Sequence, residues 1–210
     1  MKIGIIGAGH IGGVLTRRLT RLGHDVTVAN SRGPETLKGL VSETGARAGT
    51  VTEAAKGQGC RDRHGSGEEC PGSAERIVHP FARGGCRYGQ LLPAARWQNR
   101  RDRVRDDGEP LGLGAARASG GESVNTIQSS HLLNDGRPAG DRERIALPVA
   151  GDDPNAKTVV SRLIDELGFD AVDAGGLDDS WRQQPGTPVY GADLPADKAR
   201  HALAEAERAR

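Results

Sequence analysis

Three glycines near the N-terminus have a spacing that suits the binding of a phosphate group. Gly7, Gly9 and Gly12 follow a short β-branched run, residues 3–6, and precede a helical pattern. A glycine at the first position allows a sharp turn, one at the second lets the backbone approach a pyrophosphate, and one at the third allows close helix–strand packing. The N–H groups and the positive dipole end at a helix start favour an anion. The predicted phosphate-binding turn comprises Gly7, Ala8, Gly9, His10, Ile11 and Gly12.

The turn must be positioned by a strand before it and a helix after it. Ile11, Leu15, Leu19 and Leu22 recur at helical spacing, and a second apolar run, residues 25–29, follows. This order indicates the first βαβ unit of a dinucleotide-binding fold. Two alternatives stay open: the glycines belong to some other α/β unit, and His10 is an exposed turn residue rather than a phosphate contact.

The residues after the second run choose between the two dinucleotides. A site for NAD places an Asp or Glu there to accept a hydrogen bond from the ribose 2′-hydroxyl. This chain has Asn30, Ser31 and Arg32 instead. No carboxylate would repel a 2′-phosphate, and a guanidinium offers a fork of donors for one. We therefore predict NADP as the cofactor. The alternative is that Arg32 is a solvated loop residue and Ser31 caps a helix.

Composition excludes several other classes of protein. The chain has 210 residues and a net charge of +1, so nothing global indicates a nucleic-acid or membrane partner. The first apolar run is too short for a secretory signal, and no segment is long enough to span a bilayer. We expect a cytoplasmic protein whose partner is a small-molecule cofactor or substrate.

The chain divides into four segments by pattern. Residues 1–56 predict the N-terminal half of a dinucleotide-binding domain, and residues 123–193 its C-terminal strands and helix, in which Asp153 caps a helix that starts at Pro154. Residues 194–210 predict a C-terminal helix. The fold class is α/β with a Rossmann-like parallel sheet. Residues 57–122 lack a period of 2 or 3.6, and we expect irregular or disordered structure over about 58–122.

The middle segment, residues 57–122, contains weak signals for a metal site, disulfides and a nucleic-acid site. Its cysteines and histidines do not have zinc-site spacing, apart from a loose pair, and an odd number of cysteines in a cytosolic chain argues against disulfides. The residues concerned are Cys60, His64, Cys70, His79 and Cys86. An Arg-rich run, residues 96–105, is diluted by acidic residues and contains one aromatic residue, Trp97. We predict neither a metal nor a nucleic-acid site; a solvated insert is the plainer interpretation.

Both flanks of this segment resemble the coenzyme F420-dependent NADP oxidoreductase family. The N-terminal resemblance lies in residues 3–12 and in Val28-Ala-Asn-Ser-Arg-Gly33; the C-terminal one lies in residues 144–153 and 173–186. The resemblance implies a Rossmann fold, NADP, and coenzyme F420 or a similar small molecule as hydride acceptor. It also implies that Gly7, Gly9 and Gly12 hold the pyrophosphate, and that Ser31 and Arg32 hold the 2′-phosphate.

The middle segment departs from the family, and the genetic code offers a reason. In a dinucleotide-binding fold a Val-rich strand should follow residue 56, and none does. If reading is shifted forward by one base, residues 59–71 can encode Asp-Val-Val-Ile-Val-Thr-Val-Pro-Glu-Lys-Asn-Val-Pro, which would be such a strand. Residues 86–98 can encode Val-Asp-Thr-Gly-Asn-Tyr-Tyr-Pro-Gln-Gln-Asp-Gly-Arg, which includes a motif of the family. The hypothesis is a one-base error near Gly57 that a second error near Val124 compensates.

No catalytic residue is predicted. In the family the two cofactors carry the hydride chemistry, and the protein aligns and shields them. Four carboxylates read as caps and loop charges, namely Asp152, Asp153, Asp178 and Asp179. The loop from Trp181 to Tyr190 is open to three roles: a wall for the second cofactor, a homodimer contact, or plain packing. If the chain lacks its central strands, the alternative is a damaged, non-catalytic fragment that binds NAD(P) weakly or not at all.

Overall fold

The β-branched runs on both flanks form strands of one sheet, which has eight strands in the described residues of our computed structural model. The structure describes residues 1–55, 76–79, 90–93 and 121–207. The strands are β1 (Lys2–Ile6), β2 (Asp25–Ala29), β3 (Arg47–Ala48), β4 (Arg76–His79), β5 (Gln90–Pro93), β6 (Gly121–Ser123), β7 (Ala146–Gly151) and β8 (Asp170–Asp173). Their order across the sheet is β3-β2-β1-β4-β5-β6-β7-β8, so the sheet is continuous across both flanks.

Six α-helices and two 3-10 helices accompany the sheet in the described residues. The α-helices are α1 (His10–Arg21), α2 (Lys38–Thr44), α3 (Val51–Ala55), α4 (Ser129–Asn134), α5 (Pro154–Glu166) and α6 (Ala196–Ala204). The 3-10 helices are Pro34–Leu37 and Leu177–Gln183. None of the helices in these parts of the chain has the length and apolarity that a bilayer crossing requires.

The order β3-β2-β1-β4 is that of a Rossmann half, and its strands run parallel. The predicted Rossmann-like α/β class is thus confirmed. The sheet is not parallel throughout: β4–β5, β5–β6 and β6–β7 are antiparallel pairs, and only β7–β8 returns to a parallel pairing. Because β6 is antiparallel to β5, it runs in the same direction as β1, and its C-terminal end lies at the same edge of the sheet as the glycine turn.

Three short strands come from or adjoin the segment for which irregular structure was predicted. β4 and β5 join the sheet between β1 and β6, and β6 begins at Gly121. These short stretches pair although the segment lacks a strand period, because backbone pairing to a neighbouring strand does not require a favourable side-chain pattern. The rest of that segment, residues 56–75, 80–89 and 94–120, lies outside the described residues.

The core lies on both faces of the sheet. One face packs β1 and β7 against α1, α4 and α5 through fully buried side chains such as Ile5, Leu19, Leu147 and Phe169. The other face carries α3 over β1, and α6 over β7 and β8. Helices on both faces of a sheet form the three-layer arrangement of α/β folds.

Two local predictions on the C-terminal flank are confirmed. The Asp153 carboxylate accepts hydrogen bonds from the backbone N–H groups of Asn155 (2.9 Å) and Ala156 (3.3 Å), and α5 begins at Pro154. The lengths of one predicted helix and one predicted loop differ from the predictions. The C-terminal helix ends at Ala204 rather than continuing to residue 210, and a 3-10 helix (Leu177–Gln183) occupies part of the stretch predicted as loop.

Candidate dinucleotide site

The glycine turn joins β1 to α1 in the predicted way. β1 ends at Ile6, and Gly7 has a φ of +110°, a backbone conformation that favours glycine. The Gly7 N–H donates to the Ala29 carbonyl (2.7 Å), which fixes the turn against the end of β2. α1 then begins at His10, with Gly9 as its N-cap residue and no side chain capping its N–H groups.

Gly9 faces open space. A Cβ added there would meet no described atom within 4 Å, and its backbone is extended, with φ −77° and ψ −161°. Neither packing nor backbone strain therefore requires a glycine at this position. Close approach of a ligand to the backbone does require one, because a side chain would occupy the space above the helix start.

The loop after β2 is held by its own side chains. The Asn30 carboxamide oxygen accepts from the Arg32 N–H (3.0 Å), and its nitrogen donates to the Thr36 hydroxyl oxygen (2.9 Å). The Thr36 hydroxyl in turn donates to the Gly33 carbonyl (2.8 Å). The Arg32 guanidinium is exposed and makes no ion pair with any residue in the described part of the chain.

The turn and the loop open into one cavity of about 500 Å³, a size within the range of ligand sites. Its wall is formed by Ala8, Gly9, His10, Gly13, Val14, Arg17, Asn30, Arg32, Thr36, Leu37, Leu40, Ser129, Ser130 and Leu133. No Asp or Glu belongs to this wall as far as the described residues go. Arg17, which belongs to the wall, donates two hydrogen bonds to the Glu43 carboxylate (2.7 Å each), and these bonds lower the pKa of Glu43.

The structure brings five of the nine predicted residues into that wall: Ala8, Gly9, His10, Asn30 and Arg32. Gly7, Ile11 and Gly12 are not part of the wall; Gly12 is buried and Ile11 packs on the core. Ser31 is exposed and is not part of the cavity wall. Contact with a nucleotide therefore stays a prediction for each of the nine residues.

Several wall residues could not be found from the sequence. Ser129, Ser130 and Leu133 belong to α4, which packs on α1 from more than a hundred positions away along the chain. No local sequence pattern predicts a contact between helices so far apart along the chain. Thr36 had a weak signal, because it lies two residues after Pro34, a residue that is common at a helix start, where a hydroxyl often bonds to the backbone.

The remaining candidates have structural partners or lie outside the described residues. Asp152 accepts from the Leu177 N–H (3.0 Å), and Asp179 lies 3.8 Å from the Arg182 guanidinium, in keeping with caps and loop charges. Arg182 also stacks on the Trp181 ring, 4.6 Å from its centroid. Among the described residues no group of His, Cys, Asp and Glu could hold a metal. Four candidate ligands, Cys60, His64, Cys70 and Cys86, lie outside those residues; for His79 only the backbone in β4 is described.

Comparison with known proteins finds a family model that matches the N-terminal segment. Residues 2–59 match the sequence model of the family described as NADP oxidoreductase, coenzyme F420-dependent. Over 59 residues the chain is 49% identical to the "Putative protein YjhV" of Escherichia coli strain K12. That match covers 28% of this chain and 43% of YjhV, so the chain matches less than half the length of this curated relative. The resemblance to the family is thus shown over the segment that holds the glycine turn.

Two crystal structures share the fold along most of the chain. The hypothetical protein SMa0349 of Sinorhizobium meliloti is 22% identical, with a TM-score of 0.60, and the match covers 93% of this chain and 96% of that one. A protein described as a "putative f420 dependent nadp-reductase", from Arthrobacter sp. FB24, is 21% identical with a TM-score of 0.51, over 86% and 87% of the two chains. At these identities the two structures establish the fold alone.

Proposed function

We propose that this chain binds NADP(H) across the first turn of α1 and serves as an oxidoreductase. The observation that carries the proposal is the single cavity that the glycine turn shares with the Asn30–Thr36 loop. A phosphorylated dinucleotide has two separate anionic groups, the pyrophosphate and the 2′-phosphate. The cavity offers a place for each: uncapped helix N–H groups beside Gly9, and the guanidinium of Arg32.

The charges of the cavity favour the phosphorylated form of the dinucleotide. In the part of the chain that the structure describes, no carboxylate lines the wall where NAD-specific sites hold an Asp or Glu. Arg17 is already paired with Glu43, whereas Arg32 has no such partner there. Arg32 is therefore the side chain whose charge is available to a 2′-phosphate.

The reaction that we propose is hydride transfer between NADP(H) and coenzyme F420 or a similar small acceptor. Support comes from the family that matches residues 2–59 and from the description of the Arthrobacter structure. The nicotinamide would supply the hydride, and the chain would align the two molecules and exclude water. We assign no side chain a catalytic role. A cytoplasmic location, small-molecule partners and a homodimer belong to the same proposal.

A paired titration tests the cofactor assignment. Replacing Arg32 by Ala removes a charge-assisted contact of about 1.5–3 kcal/mol, which corresponds to a loss of about 10- to 150-fold in NADPH affinity. NADH affinity should stay within about twofold, because NADH has no 2′-phosphate. The exposed Arg142, outside the cavity wall, provides the control: Arg142→Ala should change neither affinity. Equal affinity of the wild-type chain for NADH and NADPH would refute the assignment.

A second candidate is a damaged chain that no longer binds its cofactor well. The observation in its favour is that the family match ends at residue 59, next to the proposed loss of frame near Gly57. Resequencing the gene tests the frame directly; a continuous frame with strongly biased codons for the present residues would reject the hypothesis. Tight NADPH binding together with a cooperative melt of the chain as written would reject the damaged-chain candidate. If the frame is broken, the restored chain should oxidise NADPH with F420.

A further inference from the structure

Asn30 tethers the loop that carries Arg32 at two points. Its carboxamide oxygen accepts from the Arg32 N–H at the start of the loop (3.0 Å). Its carboxamide nitrogen donates to the Thr36 hydroxyl oxygen at the end of the loop (2.9 Å). Because one partner is a donor and the other can accept, the two bonds also fix which way the amide faces.

Thr36 closes this network from the other side. Its hydroxyl and its backbone N–H both donate to the Gly33 carbonyl, at 2.8 and 3.2 Å. Gly33 itself has a φ of +96°, so the loop reverses direction in a conformation that favours glycine. Residues 30–36 thus form a closed ring of hydrogen bonds in which the Arg32 backbone is held while its guanidinium stays exposed.

From this ring we infer that Asn30 and Thr36 are positioning residues, which set the preference for a 2′-phosphorylated nucleotide by holding Arg32 in place. The inference rests on the proposed NADP(H) site and changes the role predicted for Asn30. Its oxygen accepts from the Arg32 N–H and one amide hydrogen is donated to Thr36, so two of its four hydrogen-bonding positions are used within the loop. A loop already held in its binding conformation loses less freedom when the ligand arrives, and this raises the affinity.

The probes are 2′,5′-ADP and 5′-ADP, which differ in the 2′-phosphate alone. We expect Asn30→Ala and Thr36→Val each to lower affinity for 2′,5′-ADP about tenfold, as expected for one or two local hydrogen bonds, and affinity for 5′-ADP less than twofold. Thr36→Ser keeps the hydroxyl and should restore the preference. Thr158 provides a matched control, since its hydroxyl also donates to a backbone carbonyl, that of Pro154 (2.9 Å), and neither residue belongs to the cavity wall. Thr158→Val should leave both affinities unchanged.

Double variants separate positioning from direct contact. If Asn30 acts through Arg32, Asn30→Ala should have no further effect on the 2′,5′-ADP to 5′-ADP ratio once Arg32 is Ala. Asn30→Ala and Thr36→Val should likewise be non-additive, because each breaks the same ring. The inference would be overturned if the fold-losses of the two single variants multiplied in either double variant. It would also be overturned if Asn30→Ala kept the wild-type preference for 2′,5′-ADP over 5′-ADP. A wild-type chain that does not prefer 2′,5′-ADP would overturn the proposed NADP site instead, so the two failures are distinguishable.

Discussion

Gly4 provides a sharp test of how the first strand packs. It lies within β1 and faces α3, and a Cβ built on it would stand 2.0 Å from the Ala54 carbonyl oxygen and 2.9 Å from the Ala54 carbonyl carbon. Both are backbone atoms, so no side chain can rotate away. To restore an ordinary C···O separation of about 3.3 Å, α3 would have to move by about 1.3 Å. Gly4→Ala is therefore expected to push α3 off the sheet.

The magnitude follows from two opposing terms. Overpacking a well-packed site costs about 1–3 kcal/mol, and a clash with backbone belongs at the upper end of that range. Replacing glycine by alanine in a strand recovers about 0.5–1 kcal/mol, because alanine has less backbone freedom to lose on folding. The net loss is about 2 kcal/mol in the free energy of unfolding. For a chain of this size that lowers Tm by about 4–8 °C.

Thermal melts followed by circular dichroism provide the assay. Gly39→Ala is the matched control, because a Cβ at Gly39 meets nothing within 4 Å and the residue lies in α2. The same chemical change should there raise stability slightly, by about 0.5 kcal/mol. Opposite signs for the two substitutions are the expected result. If Gly4→Ala melts at the wild-type temperature or above, α3 does not pack on β1 in solution and the reasoning fails.

Two further predictions concern α5. Asp153→Ala should lower the free energy of unfolding by about 1 kcal/mol in urea titrations, because it removes the cap on the N–H groups of Asn155 and Ala156. Asp153→Asn should retain most of the stability, because its side-chain oxygen can still accept those bonds. Equal losses in both variants would refute the capping role. Burial raises the pKa of Glu166, but hydrogen bonds from Arg162 and His24 outweigh it and hold that pKa below its ordinary value. The stabilisation of the fold by ionised Glu166 is therefore complete above the ordinary Glu pKa of about 4.3, and it is lost as pH falls through the lower pKa of the folded chain. Glu166→Gln should accordingly make the free energy of unfolding fall less steeply as the pH is lowered through this range.

The strand–turn–helix order at the N-terminus was determined by the sequence alone. Gly7 adopts a positive φ, Gly9 stands at the start of α1, and Asp153 caps α5, as the local patterns predict. Each of these features depends on residues within a few positions of one another. Backbone sterics and capping hydrogen bonds act at that range, so a single stretch of sequence contains the whole cause.

Tertiary structure alone decided what surrounds the turn. The packing of α4 on α1 supplies Ser129, Ser130 and Leu133 to the cavity, and the antiparallel pairs of β4, β5 and β6 set the sheet between the two flanks. The sequence also did not predict the hydrogen bonds of the Asn30 amide to Arg32 and Thr36, since an asparagine at a strand end can face either a ligand or its own loop. These outcomes depend on which surfaces meet when the whole chain folds, and no local period or propensity carries that information.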